Sequence, residues 1–167
     1  MRSTMSHVPI TFRKTAAIHR SPKFISIESL SGVPGLMYEE DESYRVYLDP
    51  GVMNELLGHT LLMALEKSRF VDNSEPEFFD PDRATRAYEN WEKDVMQRYG
   101  FKSKRDAYKS LDWCEAQRFD GKIEIEPHRR SSPGWRSLPP EKTIVIPETD
   151  DAEAVGAAVR LALSRCE

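Results

Sequence analysis

The chain has 167 residues, of which 24 are basic and 28 are acidic, so its formal net charge is −4 at neutral pH. One domain of this length can bury a sizeable core, and the net acidity argues against a general nucleic-acid-binding surface and suits a basic partner. No apolar run of about 18 residues and no signal-like segment follow Met1, which predicts a soluble, cytoplasmic protein that does not contact membranes.

The first part of the chain predicts a frayed terminus and then an antiparallel sheet. Residues 1–8 show no periodic pattern, so we expect them to fray and residues 9–167 to form a single domain. Apolar and polar side chains alternate in Ile10–Lys14 and Lys23–Glu28, which predicts two strands joined by a turn at His19–Pro22. Ser31–Gly35 is a second break, rich in turn-forming residues.

A cluster of four consecutive carboxylates, Glu39, Glu40, Asp41 and Glu42, precedes the predicted strand Tyr44–Leu48. Such a cluster must be solvated, because unpaired charges are almost never fully buried. Two interpretations remain open for it. It is either an electrostatic landing site for a cationic partner or simply a polar turn.

A strand-proline-helix pattern occurs twice, in Tyr44–Phe70 and in Thr143–Cys166. Each copy continues with Glu-x-x-Gly, five further residues, an Ala-Leu pair and a later Ser-Arg pair. Gly58 and Gly156 therefore fall at the same helical position, although an interior glycine costs about 1 kcal/mol relative to alanine. We expect each glycine to lie against the sheet or against the other helix, with chance similarity as the alternative. The two strands could lie side by side and parallel.

An acidic segment follows Phe70 and includes Asp72, Glu75, Glu77 and Asp80. Its oxygen ligands lack the spacing of an EF-hand loop, and the glycine at the sixth position is missing, so no calcium site is predicted. Asp80 precedes a proline and is expected to cap a helix. That helix carries an apolar stripe expected to be core, formed by Tyr88, Trp91, Val95 and Tyr99.

Gly100 is expected to end this helix, and Ser103 to cap a short one over Lys104–Leu111. Asp120–Gly121 lies between Cys114–Phe119 and Lys122–Glu126, which predicts a β-hairpin with a primed turn.

The segment Pro127–Glu141 is predicted to be a long irregular loop. It contains Trp135, which is either an interface anchor or a residue packed back onto the core. Cys114 and Cys166 lack a CxxC spacing and are predicted to be reduced core residues rather than a disulfide.

No motif predicts catalysis, a metal site or a cofactor site. The four histidines, His7, His19, His59 and His128, are scattered, and no HExxH, GxSxG or phosphate-binding glycine loop is present. Carboxylates are abundant, so an enzyme with an unrecognised carboxylate site remains an alternative function.

Four segments together resemble the CdiI family of immunity proteins from bacterial contact-dependent growth inhibition (CDI) systems. They are YRVYLDP, ALEKSRF, RYGFKSKRDAYKS and VIPETDDAEAVGAAVRLALSRC, and the resemblance covers roughly residues 10–166. It implies a protein that is not an enzyme and that neutralises the C-terminal toxin domain, usually a nuclease, of a CdiA surface protein. The resemblance transfers neither catalytic nor contact residues.

The expected fold is α+β, with a mainly antiparallel twisted sheet of five to seven strands packed against the two glycine-containing helices and a Trp/Tyr-rich helix. The expected partner is a basic nuclease toxin, and no nucleic acid is bound directly. The protein is expected to be either a monomer or one half of a 1:1 complex with that toxin. An adaptor for a different protein is a further alternative. The candidate contacts are Glu39, Glu40, Asp41, Glu42, Asp72, Glu75, Glu77, Asp80 and Trp135.

Overall fold

The computed structural model of the chain describes residues 12–131 and 134–167. The predicted fraying of residues 1–8 and the first two residues of the predicted strand Ile10–Lys14 lie outside the described residues. The α+β prediction is confirmed, because the described residues form a curled antiparallel sheet with four α-helices. None of these helices is long and apolar enough to cross a membrane.

The described part of the chain contains eight strands. They are β1 (Lys14–Arg20), β2 (Ile25–Val33), β3 (Leu36–Tyr38), β4 (Arg45–Leu48), β5 (Asp112–Phe119), β6 (Lys122–Arg130), β7 (Trp135–Ser137) and β8 (Ile144–Pro147). The sheet order is β3-β2-β1-β5-β6-β7, with β4 also paired to β2 and β8 also paired to β6. Every pair of named strands is antiparallel.

Four α-helices complete the fold. They are α1 (Asn54–Lys67), α2 (Pro81–Tyr99), α3 (Lys104–Tyr108) and α4 (Ala152–Ser164), and a short 3-10 helix, Pro76–Phe79, precedes α2. The local signals for α2 are confirmed. The Asp80 carboxylate accepts a hydrogen bond from the Asp82 N–H at 3.1 Å, and Gly100 ends the helix with a left-handed φ of 66°.

The two faces of the sheet have different coverings, and the alternation of side chains along β1 shows the division. Ala16 and Ile18 point into the main core, which α1 and α4 cover with side chains such as Leu61 and Val159. The intervening residue Ala17 lies on the opposite face, towards α2. A second apolar cluster under α2 contains Phe24, Trp91, Val95 and Leu111. The helix α2 covers only part of this second face, because an open concavity lies between α2 and the sheet at Ala17.

The two helical glycines lie against each other's helix, which confirms one of the two expected packings. A Cβ atom at Gly58 would lie 1.8 Å from the carbonyl oxygen of Ala152, and one at Gly156 would lie 1.9 Å from that of Asn54. No heavy atom fits at such distances. The helices α1 and α4 thus pack backbone to backbone, and only glycine is accommodated at both positions.

Two sheet predictions were wrong. The strands of the two repeated units, β4 and β8, are neither adjacent nor parallel, because they pair antiparallel with β2 and β6 at opposite sides of the sheet. The strand count is eight rather than five to seven. A repeated local pattern specifies each unit but not where its strand joins the sheet.

Several element boundaries were also wrong. Phe12 and Arg13 are not part of a strand, and β1 runs through the predicted turn as far as Arg20. The strand β2 extends to Val33, across residues predicted to be a break. The segment Pro127–Glu141 is not wholly irregular, since β6 continues to Arg130 and pairs with β7. Pairing with neighbouring strands overrides the local turn signals there.

Two other local predictions are confirmed. The hairpin turn has positive φ at both Asp120 (49°) and Gly121 (71°), as a primed turn requires. Cys114 and Cys166 are free thiols whose sulfur atoms lie 3.5 Å apart; Cys114 is buried as predicted, whereas Cys166 is half-buried at the edge of the core.

We expect Gly58→Ala to destabilise the protein by about 3 kcal/mol, because the added methyl group forces the two helix backbones apart. Helix propensity alone predicts the opposite sign, a gain of about 1 kcal/mol. Chemical denaturation followed by circular dichroism measures the difference.

The matched control is Ala157→Gly at an exposed position of α4. It should cost only about 1 kcal/mol through propensity. A Gly58→Ala variant as stable as the unmodified protein would contradict the close packing of α1 and α4.

Candidate functional site

The structure brings the two predicted acidic segments together. The β3–β4 loop and the segment between α1 and α2 lie side by side and line one concavity of about 320 Å³. Its five carboxylates define what we call the acidic surface: Glu40, Asp41, Glu42, Glu75 and Glu77. Arg69 and Arg83 also line it, so five carboxylates against two guanidinium groups leave three negative charges in excess.

Arg69 joins the two acidic segments. Its Nε donates to Glu40 at 2.6 Å, and its two terminal nitrogens donate to both carboxylate oxygens of Glu75 at 2.9 and 3.1 Å. These hydrogen bonds, donated to Glu75 as the larger cause and to Glu40 as the second, raise the pKa of Arg69 above its ordinary value. The same contact lowers the pKa of Glu75. The contact with Arg69 therefore favours the ionised form of Glu75, and the hydrogen bonds hold both carboxylates in place.

Backbone contacts position Arg69 itself. The N–H of Gly32 donates to the Arg69 carbonyl at 3.1 Å, and the N–H of Val71 donates back to the Gly32 carbonyl at 2.9 Å. The Arg69 N–H donates to the Ser31 hydroxyl at 3.1 Å. The chain leaving α1 is thus attached to the end of β2, which fixes the distance between the two acidic segments.

Arg83 attaches the β3–β4 loop to α2. This buried guanidinium donates to the carbonyl oxygens of Phe78 (2.8 Å) and Glu39 (3.0 Å) and to the carboxylate of Asp41 (3.1 Å). It also lies 4.3 Å from the centroid of the Phe78 ring. The Asp41 side chain remains 76% exposed and can still meet a partner.

Two of the predicted acidic residues have local structural contacts at the border of this surface. Asp72 accepts from the Ser74 N–H at 2.8 Å, and Asp80 caps α2. Neither lines the concavity. Their carboxylates accept hydrogen bonds from backbone N–H groups and so stabilise the turn after Asp72 and the first turn of α2.

Glu39 and Trp135 lie in a second concavity, of about 430 Å³, which we call the aromatic cleft. It lies between α2 and the sheet face opposite the main core. Ala17, Leu30 and Met37 contribute to its apolar lining. Seven polar or aromatic side chains also line it: His19, Tyr38, Glu39, Thr85, Tyr88, Trp113 and Trp135.

Trp135 packs back onto the core, as one of the two interpretations predicts, and a role as an interface anchor stays a prediction. It packs edge to face on Trp113 at 5.6 Å and on Tyr108 at 6.1 Å, as part of the cluster under α2. It also borders the aromatic cleft, and its buried indole Nε1 donates to no described acceptor. The indole is therefore a wall of the cleft rather than an isolated exposed anchor.

Burial shifts the pKa values of two side chains at the cleft, His19 and Glu39, towards their neutral forms. Burial, with the charge of Arg45 as a second cause, lowers the pKa of His19 to about 3, so its imidazole is neutral at pH 7. Burial, followed by repulsion from Glu28, raises the pKa of Glu39 to about 7. Glu28 is itself buried and paired with Arg45 at 2.6 Å. Glu39 thus changes charge near neutral pH.

Sequence reasoning missed the cleft and its residues His19, Tyr88 and Trp113. His19 was placed in a turn and Tyr88 in the core, although Tyr88 is 39% exposed. Successive residues of a strand point to opposite faces, so Ala16 and Ile18 share one face of β1 while Ala17 and His19 share the other. This alternation was the signal in the sequence that could have placed His19 on the cleft side of the sheet. Among residues 12–131 and 134–167, no three His, Cys, Asp or Glu side chains converge in a way that could hold a metal ion.

Comparison with known proteins identifies relatives over nearly the whole chain. The family model CdiI, described as CDI immunity protein, matches residues 14–166. The immunity protein CdiI-YPIII of Yersinia pseudotuberculosis (serotype O:3, strain YPIII) is 27% identical over 172 residues, which cover 91% of this chain and 94% of that relative.

Two solved structures have the same fold. A Neisseria meningitidis protein of unknown function superposes with a TM-score of 0.86 at 26% identity and covers 93% of this chain and 96% of its own. A chain of the CdiA-CT/CdiI toxin and immunity complex from Yersinia pseudotuberculosis superposes with a TM-score of 0.85 at 23% identity, covering 94% and 99%. The arrangement of the sheet and helices is therefore shared with both.

The position of Glu39 predicts a pH-dependent stability. Because its pKa is raised in the folded state, Glu39 contributes stability that is fully present below about pH 4.5 and is lost as pH rises through about 7. We expect Glu39→Gln, which stays neutral, to be more stable than the unmodified protein at pH 8, by about 1 kcal/mol after allowance for solvent screening.

Denaturant titrations at pH 5 and pH 8 measure this effect. The gain should be present at pH 8 and nearly absent at pH 5. The matched control Glu141→Gln removes an exposed carboxylate and should have no such pH dependence. An equal effect of both substitutions would show that Glu39 is not in a desolvated environment.

Proposed function

This chain belongs to the CdiI family of CDI immunity proteins, and on that premise we propose that it binds and neutralises the C-terminal toxin domain of a CdiA protein. The protein acts by binding and not as an enzyme. The complex of a CdiA-CT toxin with its CdiI protein, whose fold this chain shares, supports a partner of the same kind.

We propose further that the toxin is a basic nuclease and that the acidic surface covers its substrate groove. The observation that carries this proposal is the excess of three negative charges in one concavity, held in place by Arg69 and Arg83. A nuclease must attract phosphate groups with cationic side chains, and an acidic inhibitor competes for the same charges. Occlusion of that groove neutralises the toxin without any chemical step.

The fixed positions of the carboxylates favour rapid, specific association. Since Arg69 holds Glu40 and Glu75 with charge-assisted hydrogen bonds, less side-chain freedom is lost when the partner docks. The exposed Glu42 and Glu77 form no ion pair among the described residues and extend the field towards an approaching cation. Binding takes place in the cytoplasm of the immune cell, where one immunity protein meets one toxin domain.

The double variant Glu42→Lys/Glu77→Lys reverses charge on the acidic surface without breaking the contacts of Arg69 or Arg83. We expect association with the toxin domain encoded beside this gene to slow about tenfold at low salt and to lose most of its salt dependence. Stopped-flow or surface plasmon resonance measurements with catalytically inactive toxin give both quantities.

The control Glu66→Lys/Glu141→Lys produces the same change in net charge at exposed positions outside the acidic surface. It should change the association rate much less. Equal rates for both double variants would exclude the acidic surface as the interface. Failure of the unmodified protein to bind the toxin, or to protect bacteria that express it, would overturn the proposed function itself.

A further inference from the structure

The aromatic cleft lies directly beside the acidic surface. Glu39 lines the cleft and the next residue, Glu40, lines the acidic concavity. On α2, Ala84 lines the cleft and Arg83, one residue earlier, lines the acidic concavity. A macromolecule docked on the acidic surface therefore reaches the mouth of the cleft without any movement of this chain.

The walls of the cleft favour a positively charged occupant. Tyr88, Trp113 and Trp135 present aromatic rings, whose faces attract cations. The imidazole of His19 is neutral and adds no repulsion. Glu39 is the single ionisable carboxylate among the described residues that line the cleft. A volume of about 430 Å³ falls within the range of pockets that bind small ligands.

We propose that the aromatic cleft receives one lysine or arginine side chain of the toxin, with the Glu39 carboxylate as its counter-ion. This inference rests on the proposed function, because it assumes that the toxin docks on the acidic surface. It adds a specific anchoring site to an interface otherwise described only by its charge. A cationic side chain inserted between aromatic rings and a carboxylate is the type of contact that dominates binding energy at interfaces.

The charged groups around Glu39 leave its carboxylate available for this role. Glu28 faces it from β2 and Arg45 from β4, but these two residues are paired with each other at 2.6 Å. Arg83 of α2 contacts the Glu39 backbone carbonyl and the Asp41 side chain. Tyr88 of α2 adds a neutral phenol. No described residue forms an ion pair with Glu39, so a purely apolar occupant would leave its carboxylate desolvated without a counter-charge.

This arrangement couples binding to a proton. In the free protein burial raises the pKa of Glu39 to about 7, so its carboxyl group takes up or loses a proton near neutral pH. A cation in the cleft favours the ionised form and lowers this pKa. Binding therefore releases protons near pH 7, and affinity increases as pH rises through about 7 and is lost as pH falls.

Isothermal titration calorimetry of inactive toxin into the immunity protein, in two buffers of different ionisation enthalpy, measures affinity and proton release together. We expect Glu39→Gln to abolish the proton release assigned to the cleft and to weaken binding about tenfold at pH 8. The control Glu141→Gln removes a carboxylate that lines no described cavity and should keep both properties.

A second variant tests occupancy without changing charge. Thr85 is exposed on α2 and lines the cleft, so Thr85→Phe should fill it and weaken binding about tenfold or more. Asn90→Phe adds the same ring at an exposed α2 position that lines no described cavity and should bind normally. Denaturation curves for all variants confirm that they are folded, and Glu39→Gln is expected to be more stable than the unmodified protein at pH 8.

The outcomes separate the two proposals. If Glu39→Gln and Thr85→Phe both bind as tightly as the unmodified protein and release the same number of protons, the cleft is not an anchoring site. The proposed function then still stands, provided that reversing Glu42 and Glu77 slows association. If the unmodified protein does not bind the toxin at all, the proposed function fails and this inference fails with it.

Discussion

The backbone contact between α1 and α4 at Gly58 and Gly156 is the constraint on which the arrangement of the rest depends. It joins two strand-helix units whose strands, β4 and β8, lie at opposite sides of the sheet. The two helices together cover one face of the sheet and form the main core with it. Because both helices are committed to that face, only α2 and α3 are left for the other face, and the aromatic cleft remains open there.

The contact between the two units extends beyond the glycines. The Arg160 guanidinium of α4 donates to the Asn54 side chain and to the Pro50 carbonyl, both at 3.0 Å, and also to the Val52 carbonyl. One side chain therefore satisfies two carbonyl oxygens in the connection between β4 and α1 and the side chain of the first residue of α1. The two repeated units are therefore joined by side-chain hydrogen bonds as well as by the contact of the two glycines.

Features determined by neighbouring residues could be predicted from the sequence, and features that depend on distant pairing could not. The cap at Asp80 and the turn at Asp120–Gly121 follow from local geometry. The glycine requirement of both helices is the exception, because it comes from a contact between distant parts of the chain and was visible only as the same glycine position in the two repeated units. The strand β7 and the extension of β6 depend on pairing with each other, and their polar, proline-rich sequence resembles a loop.

The candidate site shows the same division. The acidic segments were visible as clusters of charge, but the ion pairs of Arg69 that join Glu40 to Glu75 span 29 and 6 residues of sequence. No pattern in the sequence indicated that pairing. The aromatic cleft draws its lining from several strands and one helix, so its existence depends on the curl of the sheet and on the position of α2.

The arginines of the acidic surface explain how a concentrated negative charge is compatible with a stable fold. Five neighbouring carboxylates repel one another, and without counter-charges the two loops that carry them would separate. Arg69 and the buried Arg83 reduce this repulsion while leaving three charges in excess for a partner. Glu39 lies beyond their ion pairs, in a site where ionisation costs free energy. A cation placed beside this carboxylate would offset that cost, which is the physical basis of the proposed anchoring site.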